Sequence, residues 1–334
     1  MSKHLPDLEQ FRDLIGGAQR ILMITHVAPD GDAIGSLLGL GWLLWSQDKD
    51  LTLACEDPVP DVYASLPGTE RVVRGAEGAY DLIISLDCSD QRRMGQVYDE
   101  SLASVPLVNI DHHVTNTLFG TLNWVDPTSV ATAQIILDMV DLFGWQMNHA
   151  VATCLLTGLV TDTRSFRTSN VDVATVRAAL RLMEAGASLS EITRQALEQR
   201  PLASVRLWGQ AFGSLQLEDG ILWTEVTRAM RRESGLHENG ATGLANFLSG
   251  VREARVVVVF TERDDGTVDV GMRSVPGIDV AQAALRLGGG GHPQAAGCTF
   301  VGTLSQARKQ VLVELRKTLA AQAAQDTERP AVPH

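Results

Sequence analysis

With 334 residues the chain is long for one hydrophobic core and comfortable for two, and 45% apolar with 20% charged residues describes a globular protein rather than a disordered one. A formal charge of −12 argues against broad, sequence-blind binding of long nucleic acid, which needs a basic face, but leaves room for a small phosphorylated substrate. The longest strongly apolar stretch, 34–45, is too short to span a bilayer and contains glycines, and no apolar signal core follows the N-terminus, so the expected location is cytoplasmic. Cys55, Cys88, Cys154 and Cys298 are scattered with no CxxC pair, which predicts small buried residues rather than disulfides or a zinc-thiolate site.

Residues 1–190 alternate apolar runs with amphipathic stretches. The pattern predicts strands at 20–25, 51–55, 81–86 and 106–110, and helices at 5–17, 33–47, 90–103, 129–143, 148–160 and 171–185. Strand then helix, repeated, implies a mostly parallel sheet covered on both faces. Residues 191–215 read as a connecting helix broken at Pro201. Strands follow at 221–226, 255–260 and 267–272, the last two joined by the turn Asp264-Asp265-Gly266, with helices at 241–250, 279–287 and 304–322. Residues 216–322 are thus a second, smaller α/β domain with a mixed sheet. The polar stretch 323–334, with two prolines, is expected to be disordered.

Four acid or histidine clusters follow apolar runs. They are His26-x3-Asp30-Gly31-Asp32 after 20–25, Asp87 and Asp90 after 81–86, Asp111-His112-His113 after 106–110, and Asp162 after the helical run 148–160. The first three sit at the carboxyl ends of strands, where open parallel sheets bind ligands; Asp162 enters from the side. One Asp at a strand end is more often a helix cap or turn former, and a His pair alone is more often a surface pair. Four clusters together outweigh those readings. Gly31 allows a tight turn, so that Asp30 and Asp32 can face two different metals, and the mix of His with Asp suits Mn²⁺, Fe²⁺, Co²⁺ or Zn²⁺ rather than Mg²⁺ or Ca²⁺. Two such ions about 3.5–4 Å apart make hydroxide available near neutral pH and neutralise phosphoryl charge, so phosphoester hydrolysis is the natural reaction class. His4, His149, His237 and His334 are isolated and receive no role.

In this order, with Ser85-Leu86-Asp87-Cys88-Ser89-Asp90, Thr161-Asp162-Thr163, Gly271-Met272-Arg273-Ser274 and the glycine run 288–291 leading into His292-Pro293-Gln294-Ala295-Ala296-Gly297, the chain resembles the DHH phosphoesterase superfamily and its DHHA1 companion domain. The resemblance runs from about residue 10 to 320. It implies an α/β protein with an N-terminal, mostly parallel-sheet DHH domain carrying helices on both faces and a smaller mixed α/β DHHA1 domain. Length and domain pairing look most like the bacterial nanoRNase type, which hydrolyses very short oligoribonucleotides to 5′-mononucleotides and in many cases removes a phosphate from 3′-phosphoadenosine 5′-phosphate (pAp). The implied metal set is His26, Asp30 and Asp87 for one ion and Asp32, Asp87, His112 and Asp162 for the other, with Asp87 bridging and Mn²⁺ the first choice. His113 would orient the scissile phosphate or help protonate the leaving oxygen, and Asp111 would fix a histidine ring.

The same resemblance implies that Arg273, Ser274, Gly289, Gly290, Gly291 and His292 grip the substrate's terminal phosphate or base, clamping it across an interdomain cleft that measures its length. Arg93 would reach a substrate phosphate, although an exposed helix-start Arg is as natural a reading. Two positions depart from the family pattern: Arg164, where many relatives have Gly, and Gln294, where some carry a basic residue. Expected partners are short RNA, linear dinucleotides and pAp, with a homodimer allowed, and with no membrane and no long duplex nucleic acid. The alternatives are a cyclic dinucleotide phosphodiesterase, a RecJ-like single-strand exonuclease, a family II pyrophosphatase and a non-catalytic nucleotide-binding module. The last predicts loss of a ligand, and every implied ligand position is filled.

Overall fold

A computed structural model describes residues 3–236 and 243–328, with side chains described to 322. The chain divides into two compact units between Gln199 and Arg200. In the first, strands β1 (Arg20–Thr25), β2 (Asp50–Ala54), β3 (Val72–Val73), β4 (Leu82–Leu86), β5 (Leu107–Asp111) and β6 (Leu122–Val125) form one parallel sheet in the order β3-β2-β1-β4-β5-β6. The helices are α1 (Leu8–Gly17), α2 (Gly31–Trp45), α3 (Thr132–Phe143), α4 (His149–Asp162), α5 (Val173–Glu184) and α6 (Leu189–Thr193). Side chains of β1 alternate between two cores: Ile21 and Met23 join the helices α1 to α4, while Leu22 and Ile24 pack with Met94, Val97 and Leu102 on the other face. Burial on both sides explains why this strand reads as a continuous apolar run.

The second face differs from expectation in detail. The stretch 90–103 is not an α-helix but two 3₁₀ segments, Gln91–Val97 and Glu100–Leu102. Gly95, at φ +61°, interrupts the first, and the backbone amide of Gln96 turns to Glu56 instead of continuing a helix. Strands β3 and β6, both short, were not legible in the apolar pattern.

The packing that shapes the site is between α2 and α4. Glycines recur at positions 31, 35 and 39 on one face of α2. A Cβ on Gly35 would stand 2.4 Å from the carbonyl oxygen of Cys154 and 2.9 Å from the amide of Gly158, and one on Gly31 would meet the side chain of Thr161. The α2 numbers rise as the α4 numbers fall, so the helices run antiparallel. The first turn of α2, bearing Asp32, therefore meets the last turn of α4, bearing Asp162.

The second unit begins after a widened turn at Arg194–Glu198, where the Gln199 amide donates to the Arg194 carbonyl, and Pro201 then starts α7 (Leu202–Phe212). Next come β7 (Gln216–Glu218), β8 (Ile221–Val226), α8 (Arg228–Ser234), α9 (Leu244–Leu248), β9 (Val256–Glu262), β10 (Thr267–Ser274), α10 (Ala281–Arg286), β11 (Gly290–His292), β12 (Ala295–Val301) and α11 (Leu304–Glu328). Their sheet is mixed, in the order β11-β12-β10-β9-β8-β7, with β8 and β9 parallel and the other pairs antiparallel. One face packs on α10 and α11, and the other, at β8 and β9, on α7 and α9. The helix expected at 241–250 is described only as α9; 237–242, with His237, lie outside the described residues, as do 329–334 with His334. The last helix extends beyond 322 to Glu328, because the alanine-rich segment after Leu319 favours helix over coil. The glycine run is a loop only at its start. From Gly290 it pairs with β12 in a tight hairpin. No helix among the described residues is long and apolar enough to cross a membrane.

The α2–α4 contact gives a direct prediction. Gly35→Ala should lower stability by about 1–3 kcal/mol, because the added methyl meets backbone and not a movable side chain. Gly16→Ala, in open space near the end of α1, should be neutral or stabilising by up to ~1 kcal/mol. Thermal melts of the two variants check this, and equal effects would contradict the close packing.

Candidate metal centre

Each side chain of the cluster is held by an element end. His26 follows β1, and its Nδ1 lies 2.8 Å from the Val27 carbonyl oxygen, which can only accept. The Nδ1 hydrogen is therefore committed, and Nε2 faces Asp30 at 3.9 Å and Asp87 at 3.4 Å. Asp30 caps α2, accepting from the amides of Asp32 and Ala33. Asp32 is fully buried and caps a different helix: its carboxylate accepts from the amides of Thr132 (2.6 Å) and Ala133 (3.0 Å) at the start of α3, whose own cap residue, Ala131, has no side-chain acceptor. Asp87 follows β4 with φ +59°, a left-handed conformation that costs a non-glycine residue roughly 1 kcal/mol or more and that clusters at functional sites. Thr132 Oγ1 donates to its Oδ1 at 2.9 Å. His112 places Nδ1 3.4 Å from the Ser129 carbonyl and Nε2 at 3.9, 3.7 and 3.4 Å from Asp32, Asp87 and Asp162.

Asp87 faces both ways. Its Oδ2 looks at His26, its Oδ1 at His112 and His113. Among the described residues, three sets have donor atoms within 4.8 Å of one another: His26, Asp30 and Asp87; Asp32, His112 and Asp162; and Asp87, His112 and His113. The separations of 3.4–3.9 Å exceed charge-assisted hydrogen bonds of ~2.7–2.9 Å. They are near the ~3–3.5 Å expected between two donors sharing one cation at roughly 2.0–2.2 Å. The donor set thus fits divalent ions.

The electrostatics agree. Burial, then the charges of Asp87, Asp162 and Asp30, push the Asp32 carboxyl well above its usual range. Burial with the charges of Asp30 and Asp87, opposed by His112, pushes Asp162 up to about 7. Asp162 also ends α4, where the helix dipole disfavours a negative charge. Asp87 moves the other way: burial raises its carboxyl, but the nearby His26 ring and the charges of His113 and His112 outweigh that and draw it down. Four carboxylates surround these imidazoles, an excess of negative charge that bound cations would neutralise.

Asp111 and His113 form a separate pair. His113 Nδ1 lies 2.6 Å from Asp111 Oδ1, and this bond, together with the charges of Asp111 and Asp87, overrides burial and raises His113 to about 10. The other Asp111 oxygen accepts from Asn116 Nδ2 at 2.5 Å. The same amide group lies 2.8 Å from Asn109 Oδ1 and 3.1 Å from the carbonyl of Cys88, next to Asp87. Asn109, Asn116 and Thr132 were missed from sequence. Asn109 is the one detectable from it, as a lone polar residue inside the apolar run of β5.

Arg93 is half-buried, its carbonyl accepts from the Val27 amide, and its charge is close enough to His26 to oppose that ring's protonation. Asp90 caps the 3₁₀ segment. Arg164 is the first of three consecutive left-handed residues, Arg164, Ser165 and Phe166, in a turn organised by buried Thr163.

The remaining expected residues lie in the second unit. Arg273 donates from Nε to Asn246 Oδ1 and from Nη1 to the Met272 carbonyl, while the Ser274 hydroxyl donates to the Ile278 carbonyl and so holds the following turn. Arg273, Ala295 and His292 stand abreast across β10, β12 and β11, and Gly271, Gly297 and Gly290 form the next row on the same face. A Cβ on Gly289 would collide with Gly297 O and one on Gly291 with Ala295 O, so those two glycines are demanded by the hairpin itself. Gly271 and Gly290 face open space. A groove of about 1270 Å³ between α10 and α11 contains none of these residues.

Residues 20–159 match the DHH family, N-terminal domain, and residues 221–324 match the DHHA1 domain. The chain is 36% identical over 307 residues to the bifunctional oligoribonuclease and PAP phosphatase NrnA of Thermus thermophilus, covering 90% of each protein. It is 29% identical over 287 residues to the protein of the same description from Bacillus subtilis, covering 84% of this chain and 89% of that one. An exopolyphosphatase-related protein from Bacteroides fragilis shares the fold, with a TM-score of 0.88 over 94% of this chain and 97% of that one at 23% identity. The cluster and the fold define a phosphoester hydrolase with an acid- and histidine-lined centre. The chain belongs to the DHH/DHHA1 phosphoesterase family.

Removing the Asn116 amide leaves one oxygen of a buried carboxylate unpaired, a loss of ~1.5–3 kcal/mol for a hydrogen bond to a charged group. Asn116→Ala should therefore lower kcat about tenfold or more while metal affinity changes only a few-fold, since no candidate ligand is touched. Steady-state kinetics beside a metal titration test this, and an unchanged kcat would remove Asn116 from the site.

Proposed function

We propose that the chain is a cytoplasmic phosphoesterase that hydrolyses short oligoribonucleotides and linear dinucleotides to 5′-mononucleotides and dephosphorylates pAp, using two divalent ions, Mn²⁺ first among them. The observation that carries this reading is Asp87, whose two oxygens face two separate donor sets. His26, Asp30 and Asp87 would hold one ion, and Asp32, Asp87, His112 and Asp162 the other. When bound, the pair supplies Lewis acidity at the phosphoryl oxygens and a lowered pKa for attacking water.

The chain's own residues do the rest. Asp111 engages His113 Nδ1, so the Nε2 side of the ring is the one offered to a phosphoryl or leaving oxygen. Arg93, beside His26, adds positive charge at the edge of the cluster. In the second unit the glycine row beside Arg273 and His292 is a flat surface without side chains, suited to a nucleotide, with the Arg273 guanidinium suited to a phosphate. Ser274 contributes by holding the turn behind Arg273. Substrate shortness is supported by the charge of −12, which leaves little basis for a continuous cationic track along a long strand. The Thermus thermophilus and Bacillus subtilis relatives, described as acting on oligoribonucleotides and PAP, support the same substrate class.

The test is turnover with Mn²⁺ on pAp, a linear diadenylate, a short and a long RNA, cyclic di-AMP and pyrophosphate. Rapid hydrolysis of pAp and the shortest RNAs, with little on the long one, is expected. Activity confined to cyclic di-AMP or pyrophosphate would overturn the substrate assignment. Asp87→Ala should lower kcat on every substrate by about 10³-fold, ~4 kcal/mol of barrier. Arg273→Ala should raise KM roughly 10–100-fold, the value of lost charge-assisted hydrogen bonds, with kcat little changed. A near-normal rate in the first variant would refute the bridging role, and an unchanged KM in the second would refute the phosphate contact.

A further inference from the structure

Two successive peptide planes carry the chain out of β1 toward α2, and each is held at both its N–H and its C=O. The His26–Val27 peptide donates its N–H to the Arg93 carbonyl at 2.8 Å and accepts on its C=O from Cys55 Sγ at 3.2 Å. The Val27–Ala28 peptide accepts on its C=O from His26 Nδ1 at 2.8 Å, and its N–H donates to Asp57 Oδ2 at 2.6 Å. Asp57 is half-buried in the segment that follows β2. An Asp after a strand is usually a local turn former, but this one engages an amide 29 residues away. Ala28 has φ +52°, and φ is the rotation that sets this peptide plane against the rest of the loop. The left-handed region is costly for alanine, and a hydrogen bond to a carboxylate is the larger effect.

We propose that Asp57 is a positioning residue for His26, acting through the Val27–Ala28 peptide. A trans peptide is planar, with its N–H and C=O pointing in opposite directions, so an anion that fixes the amide also fixes the carbonyl. That carbonyl commits the Nδ1 hydrogen of His26 and leaves Nε2 facing Asp30 at 3.9 Å and Asp87 at 3.4 Å. Hydrogen bonds in a chain polarise one another, so the carboxylate makes the carbonyl a better acceptor and Nε2 a better electron-pair donor toward a cation. The arrangement is a carboxylate–histidine pair with one peptide inserted between its members. It reaches one donor set only. His112 is oriented at the Ser129 carbonyl and Asp32 by the amides that open α3, and Asp57 touches neither. The proposal rests on the two-ion reading and adds that the two ions have independent supports.

Calorimetric titration of the metal-free full chain with Mn²⁺ tests this. The unaltered chain should take up two ions. Asp57→Ala should weaken one of them about 10–100-fold, the effect of removing the partner of a ligating histidine, and leave the other within a few-fold. Asp57→Asn keeps an acceptor oxygen and should recover most of the loss. Imidazole ¹⁵N spectra of the metal-free protein supply a readout that involves no ion. His26 should carry its hydrogen on Nδ1 in the unaltered chain and in Asp57→Asn, and should become a mixture of tautomers in Asp57→Ala. Two ions in the unaltered chain with neither weakened in Asp57→Ala, both weakened alike, no recovery in Asp57→Asn, or an unchanged tautomer would each overturn the role of Asp57 and leave the two-ion reading standing. Fewer than two ions in the unaltered chain would overturn that reading, and this proposal with it.

Discussion

The close contact of α2 and α4 is the constraint on which the site depends. Helices in globular proteins usually pack 8–10 Å apart, with side chains filling the space between. Here Gly31, Gly35 and Gly39 of α2 meet Thr161, Gly158, Cys154 and Leu155 of α4 with no room for a Cβ. Each glycine in a helix interior costs roughly 0.5–1 kcal/mol relative to alanine, and the large apolar core on the other sides of both helices offsets that cost. The result is positional. Asp32 and Asp162 belong to opposite ends of antiparallel helices and come to face the same imidazole, His112. Gly158 also clears the space that the Asp32 carboxylate occupies.

The electrostatic consequence is uneven. Asp32 is supported by two amides at the start of α3, where the helix dipole favours an anion, whereas Asp162 ends α4, where the dipole opposes one. Both carboxyls are nevertheless raised, because burial and mutual repulsion exceed the local support. Asp87 is drawn down by the imidazoles around it and is held in a left-handed backbone. A fold that gathers this much like charge in a buried place is stabilised by whatever cation neutralises it. Uptake of such an ion would therefore be thermodynamically linked to the stability of the first unit.

The residues of the cluster were legible because each follows an apolar run that ends abruptly in acids or histidines, and β1, β4 and β5 supply three such ends. Their supporting partners were not. Asp32 to Ala133 and Asp87 to Thr132 span 101 and 45 residues, and nothing in a local pattern links them. β6 escaped notice because Asn123 interrupts a four-residue strand, and β3 because it has only two residues. The stretch 90–103 has helix-like periodicity over its apolar positions Met94, Val97 and Leu102, and 3₁₀ turns bury the same side chains, so periodicity alone could not separate the two.

The glycine run at 288–291 shows how one composition can meet two demands. Read as a loop, its glycines are interchangeable. In the hairpin they are not, because Gly291 lies on the side where a Cβ would strike Ala295 and Ala296, while Gly290 faces the opposite side with nothing near it. The strand period of two therefore divides the run. One set of positions permits β11 to close on β12, and the other, with Gly271 across the sheet, keeps a surface bare beside the row that carries Arg273 and His292. A side chain at Gly291 acts on the fold of the hairpin, and one at Gly290 acts on whatever occupies that surface. Closure of the hairpin and the shape of the exposed surface are thus separable at adjacent residues of a sequence that reads as uniform.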